Sequence, residues 1–239
     1  MNLKVISWNC NMAFRKKLEV ISEENPDILI IPESENPKKF KLKEGVRKPE
    51  YAFWYGENPN KGIGIYTYNK YKINILKDHN PEFRFIVPLL ISHQEIEFIL
   101  LAIWCQKPEK GDNYGIHTWN AIKYYSELLK NDKIIIAGDF NSSSIWDKPN
   151  REANHTNIVN YLSDKGIVST YHKFYNEEQG KEKIATLFLH RKYNRPYHID
   201  FCFASKYFIQ RIINVEVGNY EKWNNYSDHN PIMVDFNLK

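Results

Sequence analysis

Apolar runs of strand length recur along the whole chain, at 3–8, 28–31, 63–66, 73–76, 85–91, 98–104, 134–137, 199–204, 212–217 and 232–236. About ten strands in one domain imply two packed sheets. Between some of them apolar residues return at helical spacing: Phe14, Leu18 and Ile21, then Trp119, Ile122 and Leu129, then Ile158 and Leu162. Such one-sided stripes predict amphipathic helices laid on the outer faces of the sheets, an α/β architecture. Neither an internal repeat nor a Pro/Gly/Ser-rich linker interrupts the pattern, so residues 1–239 read as a single domain. Turn-like stretches fall at 36–50, 56–62, 108–115, 142–154, 176–183 and 218–226, and function is expected on or beside them.

Composition narrows the class. Of 239 residues, 42% are apolar and 26% charged, which excludes a disordered, collagenous or coiled-coil chain. The longest apolar run, 98–105, is far shorter than the roughly 18 residues that a membrane helix needs. The N-terminal MNLKVISWNC reads as a strand and lacks the hydrophobic core of a signal peptide, so a cytoplasmic location is the expectation. Cys10, Cys105 and Cys202 are odd in number and set in apolar stretches, the pattern of buried thiols, with no zinc spacing. A net charge of +4 permits a nucleic-acid partner without requiring one.

The polar residues at the ends of the apolar runs carry the chemistry. Asn9 and Asn11 follow the first run two positions apart, and Glu33 follows the run 28–31. The run 134–137 leads through Gly138 into Asp139 and Asn141, the glycine allowing another backbone or a ligand to come close. Alternation over 197–203 puts His198, Asp200 and Cys202 on one face, where a carboxylate is costly to bury unless paired. Asp228 and His229 stop where the last run begins. Hard oxygen ligands (Glu33, Asp228, Asn11), a further acid with an amide (Asp139, Asn141) and an acid–imidazole pair (Asp200, His229) are the set that Mg²⁺-assisted phosphoester hydrolysis needs.

WNCN at 8–11, Glu33 after DILIIP, GDFN at 138–141, HID at 198–200 and SDHNP at 227–231 resemble, in this order, the motifs of the endonuclease/exonuclease/phosphatase superfamily, over residues 3–236. The resemblance implies a deoxyribonuclease-I-like, four-layer α/β/β/α sandwich of two packed mixed sheets with helices outside and an active site at one edge. It implies that Glu33 binds Mg²⁺ or Mn²⁺, with Asn9, Asn11 and Asp228 near the ion or its waters. Asp139 and Asn141 then orient the attacking water and the phosphate, His229 is the catalytic histidine and Asp200 its orienting partner. Whether His229 stabilises charge or exchanges a proton, and whether Asp139 is the general base, stays open at this level.

The chain departs from the family pattern twice. Pro32 replaces a glutamine, removing an amide side chain and a backbone N–H beside Glu33. Trp104 stands where the family offers a histidine or tyrosine to the phosphate, and an indole donates only one hydrogen bond. Neither a Gly-x-Ser-x-Gly elbow nor a Walker or dinucleotide glycine loop is present, which removes the serine-hydrolase, P-loop and dinucleotide readings.

The family's substrates range widely, so the motifs imply the reaction rather than the substrate. Basic residues crowd the segment after Glu33 (Lys38, Lys39, Lys41, Lys43, Arg47, Lys48) and precede Asp200 (Arg191, Lys192, Arg195). Trp146, Tyr197, Trp223 and Tyr226 lie near the same motifs and are candidate stacking residues, with His198 a candidate phosphate contact. The expectation is a metal-dependent nuclease or nucleic-acid phosphodiesterase, with DNA ahead of RNA as partner, no membrane and a monomer by default. Its alternatives are a phosphodiesterase or phosphatase for a small nucleotide, sugar phosphate or lipid headgroup, and a catalytically silent binding module.

Overall fold

The computed structural model describes residues 1–94, 96–107 and 114–239, so the turn expected at 108–115 lies largely outside the described residues. One six-stranded sheet runs in the order β13 (Ile212–Val217), β14 (Ile232–Asn237), β1 (Asn2–Ser7), β2 (Ile28–Ser34), β4 (Lys61–Thr67) and β3 (Tyr51–Asn58). The other follows β5 (Lys72–Ile75), β6 (Ile86–Ser92), β7 (Glu97–Trp104), β8 (Ile134–Asp139), β12 (Asp200–Ser205) and β9 (Ile167–Ser169). β10 (Leu187–Phe188) and β11 (Pro196–Tyr197) make a separate ribbon. Both large sheets are mixed, since β1–β2 and β7–β8 are parallel while their other pairings are antiparallel.

Strand alternation sorts the apolar residues into three layers of contact. Val5, Ile28, Ile30, Leu100, Ala102, Ile135 and Ala137 point inward and form the core between the sheets. From the opposite faces of the same strands, Ile6, Leu29 and Ile31 meet Phe14, Leu18 and Ile21, around α1 (Leu18–Ser22). Leu101, Ile103, Ile134 and Ile136 meet Ala121 and Ile122 of α2 (Gly115–Tyr124) and Ile158 and Leu162 of α3 (His155–Ser163). Central strands buried on both faces explain the continuous apolar runs, and the result is the expected α/β/β/α sandwich. Three shorter helices, α4 (Thr170–Tyr175), α5 (Lys206–Ile209) and α6 (Tyr220–Trp223), fill the connections.

Local differences from the sequence reading have physical causes. The edge strand β3 is exposed or half-buried throughout and carries no buried stripe, so periodicity did not mark it. The helix expected over 14–21 is divided into a 3₁₀ turn, Phe14–Lys16, and α1, with Lys17 in a non-helical conformation between them.

Chain direction now places the site. The C-terminal ends of β1, β2, β7 and β8 and the first residues of β12 and β14 carry or adjoin every polar motif of the sequence. Gly138 is the hinge of this arrangement: its φ is +148°, and a Cβ there would lie 1.7 Å from the Ile103 carbonyl oxygen. The glycine that the sequence marked for close approach therefore admits the neighbouring backbone of β7.

Candidate active site

Asp139 ends β8 and Asp200 begins β12, and the antiparallel register sets the two opposite each other. Both are fully buried. Asp200 Oδ2 is 2.9 Å from His229 Nδ1, while Asp200 Oδ1 is buried with no hydrogen-bond partner among the described residues. The backbone N–H groups of Ile199 and Asp200 both donate to Thr186 Oγ1 at 3.0 Å, fixing the start of the strand. The Trp8 indole donates to the His229 carbonyl at 2.8 Å, tying the histidine segment to the end of β1. Asp139 accepts from Asn9 Nδ2 at 2.9 Å, from the Asn141 backbone N–H at 2.9 Å and from Asn141 Nδ2 at 3.1 Å. Asn141 Nδ2 also donates to the Cys105 carbonyl at 2.9 Å.

Three acidic or imidazole groups so close together titrate abnormally. Ligand atoms of Asp139, Asp200 and His229 lie within 4.8 Å of one another, close enough to hold a metal ion. Burial raises the Asp139 pKa and the Asp200 charge raises it further, against His229 and the Asn9 hydrogen bond, leaving it at about 7. For His229, burial opposes the charged ring, but Asp200, Asp139 and Asp228 outweigh it and lift the pKa to about 10. At neutral pH the imidazolium donates Nδ1–H to Asp200, and Asp139 is held well above the usual carboxylate range by burial and the Asp200 charge.

A second group of oxygen ligands stands at the mouths of β1 and β2. Asn11 Nδ2 donates to Asp228 Oδ1 at 3.0 Å, which leaves its amide oxygen as a hard donor. Glu33 lies at a register shift in the β2–β4 pairing and has a φ of +61°. This bulge accounts for Pro32, a residue sheets admit at bulges, and it re-aims the Glu33 side chain. Asn11 and Asn141 also have positive φ, as do Met12 and Ala13 beside Asn11. Candidate ligands and phosphate contacts thus sit on left-handed backbone that costs roughly 1–3 kcal/mol per residue. Lys17 supports the strained turn, its ammonium donating to the carbonyls of Cys10 and Asn11.

The remaining candidates separate. Trp146 and Tyr197 come together, ring centroids 5.0 Å apart, and line a cavity of about 370 Å³ together with Asn141. Trp104 packs on Phe85, centroids 4.6 Å apart, and lines a second cavity. Trp223 corrects the expectation of a stacking residue: it is 1% exposed and meets Trp8 edge-on at 5.0 Å, as core. His198 is likewise buried, its Nδ1 2.8 Å from the Ile184 carbonyl, behind rather than in the site. Asn9 contacts Asp139 and the Asn11 N–H, so it steadies the acid and the turn. Among the basic residues, Arg191 donates to the Asn224 and Tyr226 carbonyls and Arg47 lies over Tyr68, both structural uses. Lys61, which no sequence pattern marks, places Nζ 3.3 Å from Glu33 Oε1 and over the Trp104 ring.

No protein-family model matches the chain, and no curated protein matches it in sequence. Its fold is nevertheless shared with solved structures. A 3′ phosphatase, NExo, from Neisseria, bound to product DNA hairpin, superposes with a TM-score of 0.70 at 16% identity, over 98% of this chain and 99% of that one. A 3′–5′ exonuclease, NExo, from Neisseria meningitidis gives 0.70 at 17% identity, over 98% and 100%. An AP endonuclease from Archaeoglobus fulgidus gives 0.68 at 17% identity, over 98% and 99%. The chain has the exonuclease-III-like, deoxyribonuclease-I-like sandwich fold.

Proposed function

We propose that the protein is a divalent-metal-dependent phosphodiesterase that hydrolyses nucleic acid, DNA ahead of RNA, by in-line attack of water. The observation that carries the reading is the pairing of Asp139 with Asp200 across β8 and β12, which joins an Asp200–His229 pair to an Asp139–Asn141 pair at one sandwich edge. His229, charged at neutral pH, donates a proton or hydrogen bond to a phosphoryl oxygen while Asp200 holds its ring. Asp139 takes the proton of the attacking water, and Asn141 and Asn9 keep the carboxylate in place.

Glu33, Asp228 and the amide oxygen of Asn11 would hold Mg²⁺ or Mn²⁺; all are hard oxygen donors, at least partly open to solvent, and suit those ions. When bound, the ion neutralises charge on the phosphate as the new bond forms. The cavity lined by Trp146, Tyr197 and Asn141 has the size and lining to take a nucleotide unit. The DNA hairpin bound by one structural neighbour and the AP endonuclease among the others support DNA as partner. Three buried cysteines that form no disulfide suit a reducing, cytoplasmic setting.

The test is hydrolysis by purified protein and its His229→Ala variant, with Mg²⁺, Mn²⁺ or EDTA. The panel is single-stranded, duplex and abasic DNA, RNA, and bis-p-nitrophenyl phosphate. Metal-dependent cleavage of DNA, lost in the variant, is the expected result. Activity persisting in EDTA, or equal in the variant, refutes the assignment, and turnover of the small ester alone moves it to a small phosphoester.

A further inference from the structure

The Asp200–His229 pair straddles the two sheets. Asp200 opens β12 of one, and His229, 29 positions further along the chain, stops three residues before β14 of the other. One side-chain hydrogen bond does not by itself hold two such segments in register, so their separation depends on what supports them. Thr186, fully buried and just ahead of β10, bonds to both. Its hydroxyl oxygen accepts the N–H groups of Ile199 and Asp200, each at 3.0 Å, which uses both of its lone pairs. Its carbonyl accepts the N–H of Asn230, the residue after His229, at 2.7 Å, and its own N–H donates to the Tyr197 carbonyl at 2.9 Å. The next residue, Leu187, bridges to His229 itself, and the Phe188 N–H donates to the Asp228 carbonyl at 2.7 Å.

His198 belongs to the same clamp. Its Nδ1 lies 2.8 Å from the Ile184 carbonyl, and a carbonyl only accepts, so the ring donates. Residues 184–188 are thus stitched to 197–200 on one side and to 228–230 on the other, with Thr186 at the centre. A threonine suits this place. Branching at Cβ restricts χ1, so the oxygen stays where the two N–H groups point. Valine would keep the shape and accept nothing, leaving two buried N–H groups unpaired, whereas serine would keep the acceptor.

We propose that Thr186 is a positioning residue for the reaction: through its hydroxyl and its carbonyl it sets the start of β12 against the His229 segment, and so sets the Asp200–His229 separation on which the orientation of the imidazole depends. This rests on the phosphodiesterase reading above and adds a residue that acts through the pair. A small displacement of either segment would turn the imidazole away from the phosphoryl oxygen it serves, which lowers turnover without loosening the bound substrate.

The test compares wild type, Thr186→Val and Thr186→Ser at a temperature at which circular dichroism shows each fully folded. One readout is the downfield proton resonance of the His229–Asp200 hydrogen bond in EDTA, assigned by its absence from His229→Ala. The other is the split between kcat and KM on DNA with Mg²⁺ or Mn²⁺. Thr186→Val should shift or broaden away the resonance and lower kcat about 10- to 100-fold, with KM within about 2-fold of wild type. Thr186→Ser should bring both readouts back near wild type. A merely structural role would lower the unfolding midpoint and leave the resonance and kcat of the folded variant unchanged. Thr186→Cys, whose sulfur is a weak acceptor, replaces the valine variant if that one does not fold, with the same expected losses. Wild type without the resonance, a resonance or kcat unchanged in the valine or cysteine variant, or a serine variant as impaired as either overturns the proposal. Because the resonance is read without metal or turnover, failure to hydrolyse any substrate refutes the enzymatic reading separately, and the proton signal still decides whether Thr186 positions the pair.

Discussion

His229 Nδ1 and Asp200 Oδ2 are 2.9 Å apart in a site that water scarcely reaches, and the carboxylate offsets the cost of burying a charged imidazole. Asp200→Asn removes the main source of that compensation while preserving shape. The His229 pKa should fall from about 10 by about 2 units or more, read by NMR titration of the imidazole in metal-free protein. Turnover at neutral pH should fall about 10²- to 10⁴-fold. A raised folded-state pKa stabilises the protein fully below the ordinary histidine value of about 6.5 and loses that contribution as pH rises through about 10. Chemical denaturation should therefore show wild-type stability declining over that window and a flatter profile for the variant; an unchanged histidine titration would contradict the pairing.

Lys61 competes for the carboxylate that would bind the metal. Its Nζ lies 3.3 Å from Glu33 Oε1, with the side chain more than a third exposed at 39%, so solvent screens the pair and its strength is at most about 1 kcal/mol. Lys61→Met should then tighten Mn²⁺ binding by about 2- to 5-fold in calorimetry. The same variant should raise KM for a nucleic-acid substrate, because a cation beside the phosphate is lost. Weaker metal binding in Lys61→Met would show that the lysine supports Glu33 instead of competing with it.

Gly138 tests the architecture apart from the chemistry. A methyl group 1.7 Å from the Ile103 carbonyl, on backbone with φ of +148°, forces β7 and β8 apart where Ile103 pairs with Gly138, next to Trp104 and Asp139. Gly138→Ala should destabilise the fold by about 2–4 kcal/mol and lower the thermal midpoint by several degrees. A variant as stable as wild type would mean that the strands separate here at little cost.

Gly138 also marks how far the sequence could be read. Apolar runs such as 98–104 and 134–137 announced central strands because both of their faces are buried, and the polar residues at their ends named the site edge. Residues whose role depends on a partner distant in sequence were not legible. Trp223 looked like a surface aromatic until Trp8, on β1's continuation, was seen to cover it. Lys61 precedes β4's apolar residues without any motif, and only the β2–β4 pairing brings it to Glu33. Ser142 and His155 are thirteen positions apart, and no spacing in the sequence marks their contact.

Two buried side chains, His155 and Glu182, predict how the protein responds to acid. His155 has its pKa lowered by burial to about 4, so below about pH 6.5 the unfolded chain binds a proton that the folded chain refuses. That contribution to stability, up to about 3 kcal/mol, is fully present above pH 6.5 and drains away as pH falls through about 4. Glu182 extends the loss downward: burial alone would raise its pKa, but the His172 hydrogen bond and the Gly180 N–H bring it to about 2, so its contribution disappears between about pH 4.5 and 2. Wild type should lose stability in two overlapping steps when guanidinium midpoints are measured from pH 7 to 3. Glu182→Gln should abolish the lower step and leave the upper one. His155→Phe, which keeps the ring packed near Phe201, should flatten the upper step even though it lowers stability at neutral pH by leaving Ser142 unpaired. If the upper step survives in His155→Phe, the acid response belongs to another buried histidine, and His198, whose pKa is also lowered by burial, is the next to replace.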